Sequence, residues 1–184
     1  DIDIESIQLP ERQAGFDWLL VIPRAPKTAR SRGLTLNRLA QILSRHFPVW
    51  PIVENLDAIV THNDRANLET YAVWVRDRVE ADEEYSGYSA SDCDDHRLIS
   101  ETLLENLCHG FGYYLQTGFH LDAQSLSLCA GSRYVGGQVP ITYWDVEAGT
   151  AGLTIDWAGV GHWNERLRPR SVLCRPQPRR RLAV

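Results

Sequence analysis

Two apolar stripes at helical spacing stand among short runs of strand character, and this order limits the fold more than any other feature. The first stripe follows Thr35 and stops before Pro48, and the second begins within residues 91–100 and ends near Thr117. Both have the period of an amphipathic helix, and Gly118 is typical of the position just beyond a helix C-terminus. We therefore predict two main helices.

The other apolar runs have the length and period of β-strands. The clearest is residues 71–79, in which Tyr71, Val73 and Val75 fall on one face at period two. Further strands are predicted at residues 16–22, 50–53, 58–60, 125–134, 138–145, 152–157 and 170–174. This order predicts an α+β fold in which two main helices pack on a mostly antiparallel sheet that ends in a C-terminal β-meander.

The length of 184 residues is that of one ordinary domain. We predict a single α+β domain over residues 1–175 and a basic tail over residues 176–184. No run of 18 apolar residues is present, the N-terminus is acidic, and the four cysteines have no CxxC spacing. These features favour a cytoplasmic protein with reduced thiols and no membrane partner.

Positive charge is concentrated in two segments of a chain whose net charge is -5. Residues 166–184 contain seven arginines and no acidic residue, and a second basic stretch around Lys27 is flanked by proline and glycine. Guanidinium groups bind phosphate and carboxylate in a bidentate manner, so both segments could bind an anion. The alternative for the tail is a solvated, poorly ordered terminus. The candidate anion-binding residues in these two segments are Arg24, Arg30, Arg32, Arg179, Arg180 and Arg181.

A third anion site could lie beside Gly131, where the Ser132 hydroxyl and the Arg133 guanidinium could together hold a phosphate. The sequence contains neither a P-loop nor a GxGxxG motif. We therefore expect no bound cofactor.

Acidic and basic residues alternate along segment 76–84, at the end of the clearest strand. Clustered carboxylates supply the hard oxygen ligands that Mg²⁺ and Ca²⁺ prefer, so Asp77, Glu80, Asp82 and Glu83 are candidate metal ligands. The alternative is a solvated strand end with cross-strand ion pairs.

A cysteine, a histidine and an aspartate form a candidate catalytic group. Cys129 precedes a glycine turn, where a thiolate could act as a nucleophile, and His120 with Asp122 could act as the general base. The alternative is that Cys129 is a small core residue.

Cys93 and His96 are three residues apart, so on a helix they would share a face and could supply two ligands to Zn²⁺. The alternative is a polar helix start in which Ser91 and Asp94 form a capping box.

Aromatic residues are frequent in the second half of the chain, and on one exposed face they would form a stacking platform for bases or sugars. The alternative is that they fill the core between sheet and helices. The residues concerned are Tyr134, Tyr143, Trp144, Trp157, His162 and Trp163.

Several segments together resemble a group of small bacterial proteins with no known activity. The most specific is residues 71–84, YAVWVRDRVEADEE. The others are FDWLLVI at 16–22, NDR at 63–65, TLLE at 102–105, TG at 117–118, HLD at 120–122 and LCAGSR at 128–133. The resemblance spans roughly residues 16–145 and implies no ligand or reaction.

The charge layout favours a non-enzymatic interaction module that binds an anionic partner, either nucleic acid or an acidic protein, through the basic loop and tail. The alternative is a hydrolase-like or metal-dependent enzyme that uses the carboxylates or the Cys129 group. A third possibility is a homo-oligomer in which an edge strand of the meander pairs with another copy.

Overall fold

Residues 7–28, 33–51, 53–146 and 150–175 are described by a computed structural model of the chain. In these ranges the elements follow one another from β1 to β10, with helices inserted in the first two thirds. They are β1 (Trp18–Ile22), α1 (Leu36–Leu43), β2 (Val49–Pro51), α2 (Leu56–Ile59), β3 (Val60–Asn63), β4 (Tyr71–Val75), a 3₁₀ turn (Glu83–Tyr85), α3 (Ala90–Asp95), α4 (Leu103–Thr117), β5 (Leu126–Leu128), β6 (Ser132–Tyr134), β7 (Val139–Asp145), β8 (Gly152–Ala158), β9 (Leu167–Pro169) and β10 (Val172–Leu173).

The strands form three sheets, and most of their pairings are antiparallel. The three-stranded sheet has the order β1-β4-β10, the five-stranded sheet β2-β8-β7-β5-β9, and β3 pairs with β6. Only β2–β8 and β5–β9 are parallel among the pairs of the described chain. The predicted α+β class and the C-terminal meander, in which β7 and β8 form the longest pair, are confirmed.

The core lies on both faces of the five-stranded sheet. The larger apolar cluster joins α1 and α4 to the three-stranded sheet and to β8, with Leu43, Val73, Leu107 and Ile155 almost fully buried. The smaller cluster packs α3 against the opposite face. Helix α4 therefore lies between the two larger sheets and contacts both β1 and β7. None of the helices in the described ranges is long and apolar enough to cross a membrane.

Local capping chemistry sets the helix ends. Thr35 caps α1 as predicted, and its side chain accepts a hydrogen bond from the N–H of Arg38. Helix α4 begins with a capping box between Thr102 and Glu105 and ends at Gly118, whose φ of 76° is in the left-handed region that glycine tolerates.

The structure corrects three local predictions. Ser89 and Asp92, rather than Ser91 and Asp94, form the capping box of α3. Residues 56–59, within a predicted mixed strand segment, form α2 because Asn55 caps them, and the next strand extends through the predicted loop to Asn63. The two helix corrections arise where a polar side chain can cap the backbone, and the longer β3 arises from its pairing with β6.

Candidate functional site

The four predicted metal ligands do not converge. Asp82 is buried and accepts a hydrogen bond from the N–H of Ser171 at 2.8 Å, whereas Glu80 accepts from the N–H of Ser125 at 2.8 Å. Asp77 and Glu83 are exposed. No group of three or more His, Cys, Asp or Glu residues in the described ranges could hold a metal ion. The predicted metal site is not formed there, because backbone and hydroxyl donors of the protein already bind the two more buried carboxylates.

The predicted catalytic group is likewise not assembled. Cys129 is fully buried, and burial, with nearby carboxylates, raises the pKa of its thiol well above the ordinary value. Asp122 is bound to Arg170 at 2.7 Å, and no hydrogen bond in the described part of the chain joins either residue to His120. A nucleophile requires an accessible thiolate beside a base, so this arrangement does not support cysteine catalysis.

Ser132 and Arg133 bind other parts of the protein instead of an anion. The Ser132 hydroxyl is buried, donates to Asn63 Oδ1 at 2.5 Å and accepts from the N–H of Leu103 at 2.9 Å. The guanidinium of Arg133 donates to the backbone oxygens of residues 130 and 132 and to Asp94 Oδ2. These contacts engage the Ser132 hydroxyl and part of the Arg133 guanidinium within the protein, so the arrangement does not support a phosphate clasp.

Cys93 and His96, the two candidate zinc ligands, differ in their exposure to solvent. Cys93 is buried, and burial raises the pKa of its thiol to about 12, whereas His96 is exposed and its Nδ1 lies 2.8 Å from the backbone oxygen of Asp92. A thiol with so high a pKa remains protonated at neutral pH and is a poor zinc ligand.

The structure reveals buried charges that the sequence analysis did not identify. Arg65 is 5% exposed and holds the carboxylate of Glu105 through Nε at 2.7 Å and Nη2 at 2.6 Å, and Tyr71 donates to the same carboxylate. Although burial alone raises the pKa of Glu105, the Arg65 guanidinium and the capping hydrogen bond lower it overall. The Thr102–Glu105 spacing is a sequence signal that could have predicted the capping box. No local pattern in the sequence predicts that Arg65 binds Glu105.

A second buried pair joins the C-terminal region to the loop after α4. Arg170 donates to both carboxylate oxygens of Asp122 and to the backbone oxygens of Arg78 and Val79. Arg170, one of the seven arginines in residues 166–184, is therefore paired within the protein.

The described residues that lead toward the basic loop and toward the basic tail, which follow β1 and β10, continue from the same end of the three-stranded sheet. Strands β1 and β10 are both antiparallel to β4, so they run in the same direction. Ile22, the last residue of β1, pairs with Tyr71, and β10 runs toward the same end of β4. Cys174 continues that course, and it lies beside Arg65, which shares the Glu105 carboxylate with Tyr71.

Two predicted anion-binding segments thus begin close together. Arg24 follows β1, and its N–H donates to Thr70 Oγ1 at 3.3 Å, while Lys27 is exposed and only 3.9 Å from Glu69. Arg175 is the last described residue of the other segment and is exposed. Arg30, Arg32, Arg179, Arg180 and Arg181 lie outside the described residues.

The aromatic residues of the meander do not form the predicted platform. Trp144 packs against His120, Trp157 packs edge-on against the buried Tyr134, and Trp163 is exposed in the loop after β8. Thr142 and Ile155, which lie between Trp144 and Trp157 on the paired strands, are buried. The aromatic surface is therefore interrupted.

Instead, aromatic rings line a cleft between α1, α4 and β7, which we call the aromatic cleft. It encloses about 380 Å³ including its open mouth, and its narrow interior of about 20 Å³ has room for about one water molecule. Its principal lining residues are Phe47, Gly110, Phe111, His120, Thr142 and Trp144.

The ring of His120 is part of the lining of the aromatic cleft. It is stacked on Trp144, with centroids 3.3 Å apart and planes 4° apart, and Tyr114 lies 4.9 Å away at 19°. Tyr114 and Trp144 make no ring contact with each other in the described chain, so the imidazole separates them. Phe47 lies nearly perpendicular to all three rings and closes one side of the stack. Burial lowers the pKa of His120 to about 4, which leaves the imidazole neutral at neutral pH.

Comparison of the chain with protein-family models, with curated proteins and with solved structures finds no match. The functional interpretation therefore rests on the geometry alone.

Proposed function

We propose that the protein is a non-enzymatic module that binds an anionic partner, nucleic acid or an acidic protein surface, through the Arg24 loop and the C-terminal arginines. The observation that carries this proposal is the shared direction of β1 and β10, which starts both basic segments at one end of the three-stranded sheet. Strands are about 4.8 Å apart, so two strands that flank a third lie roughly 10 Å apart across the sheet. The pairing of β1 ends at Ile22 opposite Tyr71, and that of β10 ends at Leu173 opposite Trp74, three residues short of the same point on β4.

The charge distribution supports the same proposal. All 24 acidic residues lie before residue 166, whereas residues 166–184 contain none. Of the described arginines near the C-terminus, Arg170 is neutralised by Asp122, but Arg175 is exposed and donates a hydrogen bond to the neutral side chain of Gln8. A cationic segment beside an acidic body is directed toward an anionic partner by the field of the whole molecule.

The decisive experiment measures affinity against salt concentration for three probes: a single-stranded oligonucleotide, a DNA duplex and polyglutamate. A plot of log affinity against log salt should have a negative slope for at least one of them. Replacing Arg179, Arg180 and Arg181 by serine should reduce the magnitude of that slope, by about 2 for a single strand at roughly 0.7 per phosphate contact.

Matched variants separate a local site from net charge. The double substitution Arg24→Ser and Lys27→Ser should weaken binding. Arg45→Ser with Arg97→Ser removes the same charge from exposed positions after α1 and α3, and should leave affinity nearly unchanged. Equal effects of the two double variants, or salt-independent binding, would contradict the proposal.

A further inference from the structure

We propose that the aromatic cleft is a binding site for a small, planar, uncharged aromatic molecule, which takes the place of the His120 ring between Tyr114 and Trp144. This site uses none of the residues of the proposed anion-binding surface, so the two proposals can fail independently.

The ring that now occupies the cleft shows which shape it accepts. The imidazole of His120 lies flat between two nearly parallel aromatic rings, and the edge of that stack faces the ring of Phe47. Aromatic rings prefer such stacked and edge-to-face arrangements. A flat ligand would reproduce every one of these contacts once His120 withdrew.

His120 is held there only by ring contacts. Its nitrogens form no hydrogen bond with the described residues, whereas every one of them would be hydrated in water. His120 follows Gly118, whose φ is 76°, and the exposed Phe119. A rotation of the backbone at this turn would move the His120 ring out of the cleft. A flat apolar ring system is a better occupant of an apolar slot than an unpaired imidazole.

Gly110 supports a ligand site from the helix side. It lines the cleft in the interior of α4, where glycine is less favourable than alanine. A Cβ added at Gly110 would meet no atom within 4 Å, whereas one at Gly112 would meet Trp18 at 3.3 Å. Close packing against Trp18 therefore explains why residue 112 is glycine, but no close contact explains glycine at position 110. The absence of a side chain at Gly110 leaves space in the cleft.

The floor of the cleft excludes a charged ligand. Asp122 is neutralised by Arg170, and Asn106 binds both Glu101 and Thr142. No unpaired charge among the described lining residues faces the cleft. Leu115, Phe119 and Val146, which are next to or near lining or stacking residues in the sequence, are 60–70% exposed. These surroundings favour an uncharged aromatic ligand.

The test titrates the full-length protein with 3-methylindole and follows ligand NMR signals by saturation transfer. The wild-type protein should bind it, and binding should be about tenfold weaker for tryptamine and for indole-3-acetate, which have the same ring but carry a charge. His120→Ala should bind 3-methylindole about tenfold more tightly, because the competing ring is gone.

Two further variants distinguish the cleft from other surfaces. Gly110→Leu should abolish binding, while His96→Ala, which removes an exposed imidazole elsewhere, should leave affinity unchanged. Circular dichroism and thermal unfolding confirm that each variant is folded. The proposal is overturned if folded wild-type protein shows no saturation transfer at about 1 mM ligand, even if His120→Ala binds, since that result would indicate an engineered cavity only.

Discussion

At the scale of single residues, the most consequential side chains are charged groups that the fold has removed from water. Arg65, Glu105, Asp122 and Arg170 are each no more than 5% exposed. Burying an ion is costly unless a partner and hydrogen bonds compensate, and here each guanidinium also donates to backbone oxygens. The Arg65–Glu105 pair joins the loop after β3 to helix α4, and the Arg170–Asp122 pair joins the C-terminal region to the loop after α4. We infer that the two pairs fix the positions of these loops.

Replacement of Arg170 by methionine should be strongly destabilising. It leaves the Asp122 carboxylate buried without its cation, at a cost of roughly 3–5 kcal/mol in the free energy of unfolding. Arg78→Met removes a cation from a half-exposed pair with Glu84 and should cost less than about 1 kcal/mol. Urea unfolding of both variants measures this difference, and similar losses would show that the Asp122 pair is not energetically special.

His120 should make stability depend on pH. Its pKa is lowered to about 4 in the folded protein by burial, below the ordinary value of 6.5. Between these values the unfolded chain binds more protons than the folded one, so the free energy of unfolding falls as pH decreases from about 6.5 to about 4.

His120→Phe removes this contribution and keeps a flat ring. The stability of the wild-type protein relative to the variant should therefore decrease from about pH 6.5 to 4 and be constant above that range. Urea unfolding at several pH values gives the relative stability, and NMR titration of the imidazole gives its pKa directly. A relative stability that does not vary over this range contradicts the assignment.

At the scale of secondary-structure elements, helix α4 depends on its first turn. The Thr102 side chain accepts from the N–H of Glu105, and the Glu105 carboxylate accepts from the N–H of Thr102 at 2.7 Å. The box therefore satisfies two backbone donors and also orients the carboxylate that binds Arg65.

Thr102→Ala should reduce the free energy of unfolding by about 1 kcal/mol or somewhat more, because the side-chain acceptor at the N-cap is lost. Thr102→Ser retains the hydroxyl and should recover most of this loss. Chemical denaturation of the two variants provides the comparison. Equal destabilisation by serine and alanine would mean that the methyl group, rather than the cap, is what matters.

At the scale of the whole molecule, the last described strand, β10, and the residue before it bind three earlier segments of the chain. Strand β10 pairs with β4, and Ser171 forms a β-bridge with Ser100. The N–H of Ser171 donates a hydrogen bond to Asp82. Residues near the end of the chain thus bind segments that lie about 70 to 100 positions earlier, so their loss affects several elements at once.

Two truncations should therefore behave very differently. A protein that ends at Arg175 retains β10 and Arg170, and should unfold cooperatively within a few degrees of the full chain. A protein that ends at Pro169 loses both, and the loss of Arg170 alone is roughly 3–5 kcal/mol of a total stability that is typically about 5–15 kcal/mol. Thermal unfolding followed by circular dichroism distinguishes them, and cooperative unfolding of the shorter protein would contradict this account.

Local chemistry alone was enough to predict much of the architecture. The Thr35 cap, the β1 and β4 strands, the Gly118 helix end and the α+β class all follow from periodicity and capping, which depend on residues a few positions apart. The same signals were ambiguous where two serines offered alternative caps for α3.

Tertiary structure determines the partners of the buried candidate site residues among those described. Asp122 is bound to Arg170, 48 positions away, and Ser132 is bound to Asn63, 69 positions away. It also brings Tyr114 of α4, Trp144 of β7 and Phe47 of the segment between α1 and β2 around His120. Sequence spacing reports which face of an element is apolar, whereas the partner of a buried charge or ring depends on how distant segments meet. That meeting is determined by packing and desolvation of the whole chain.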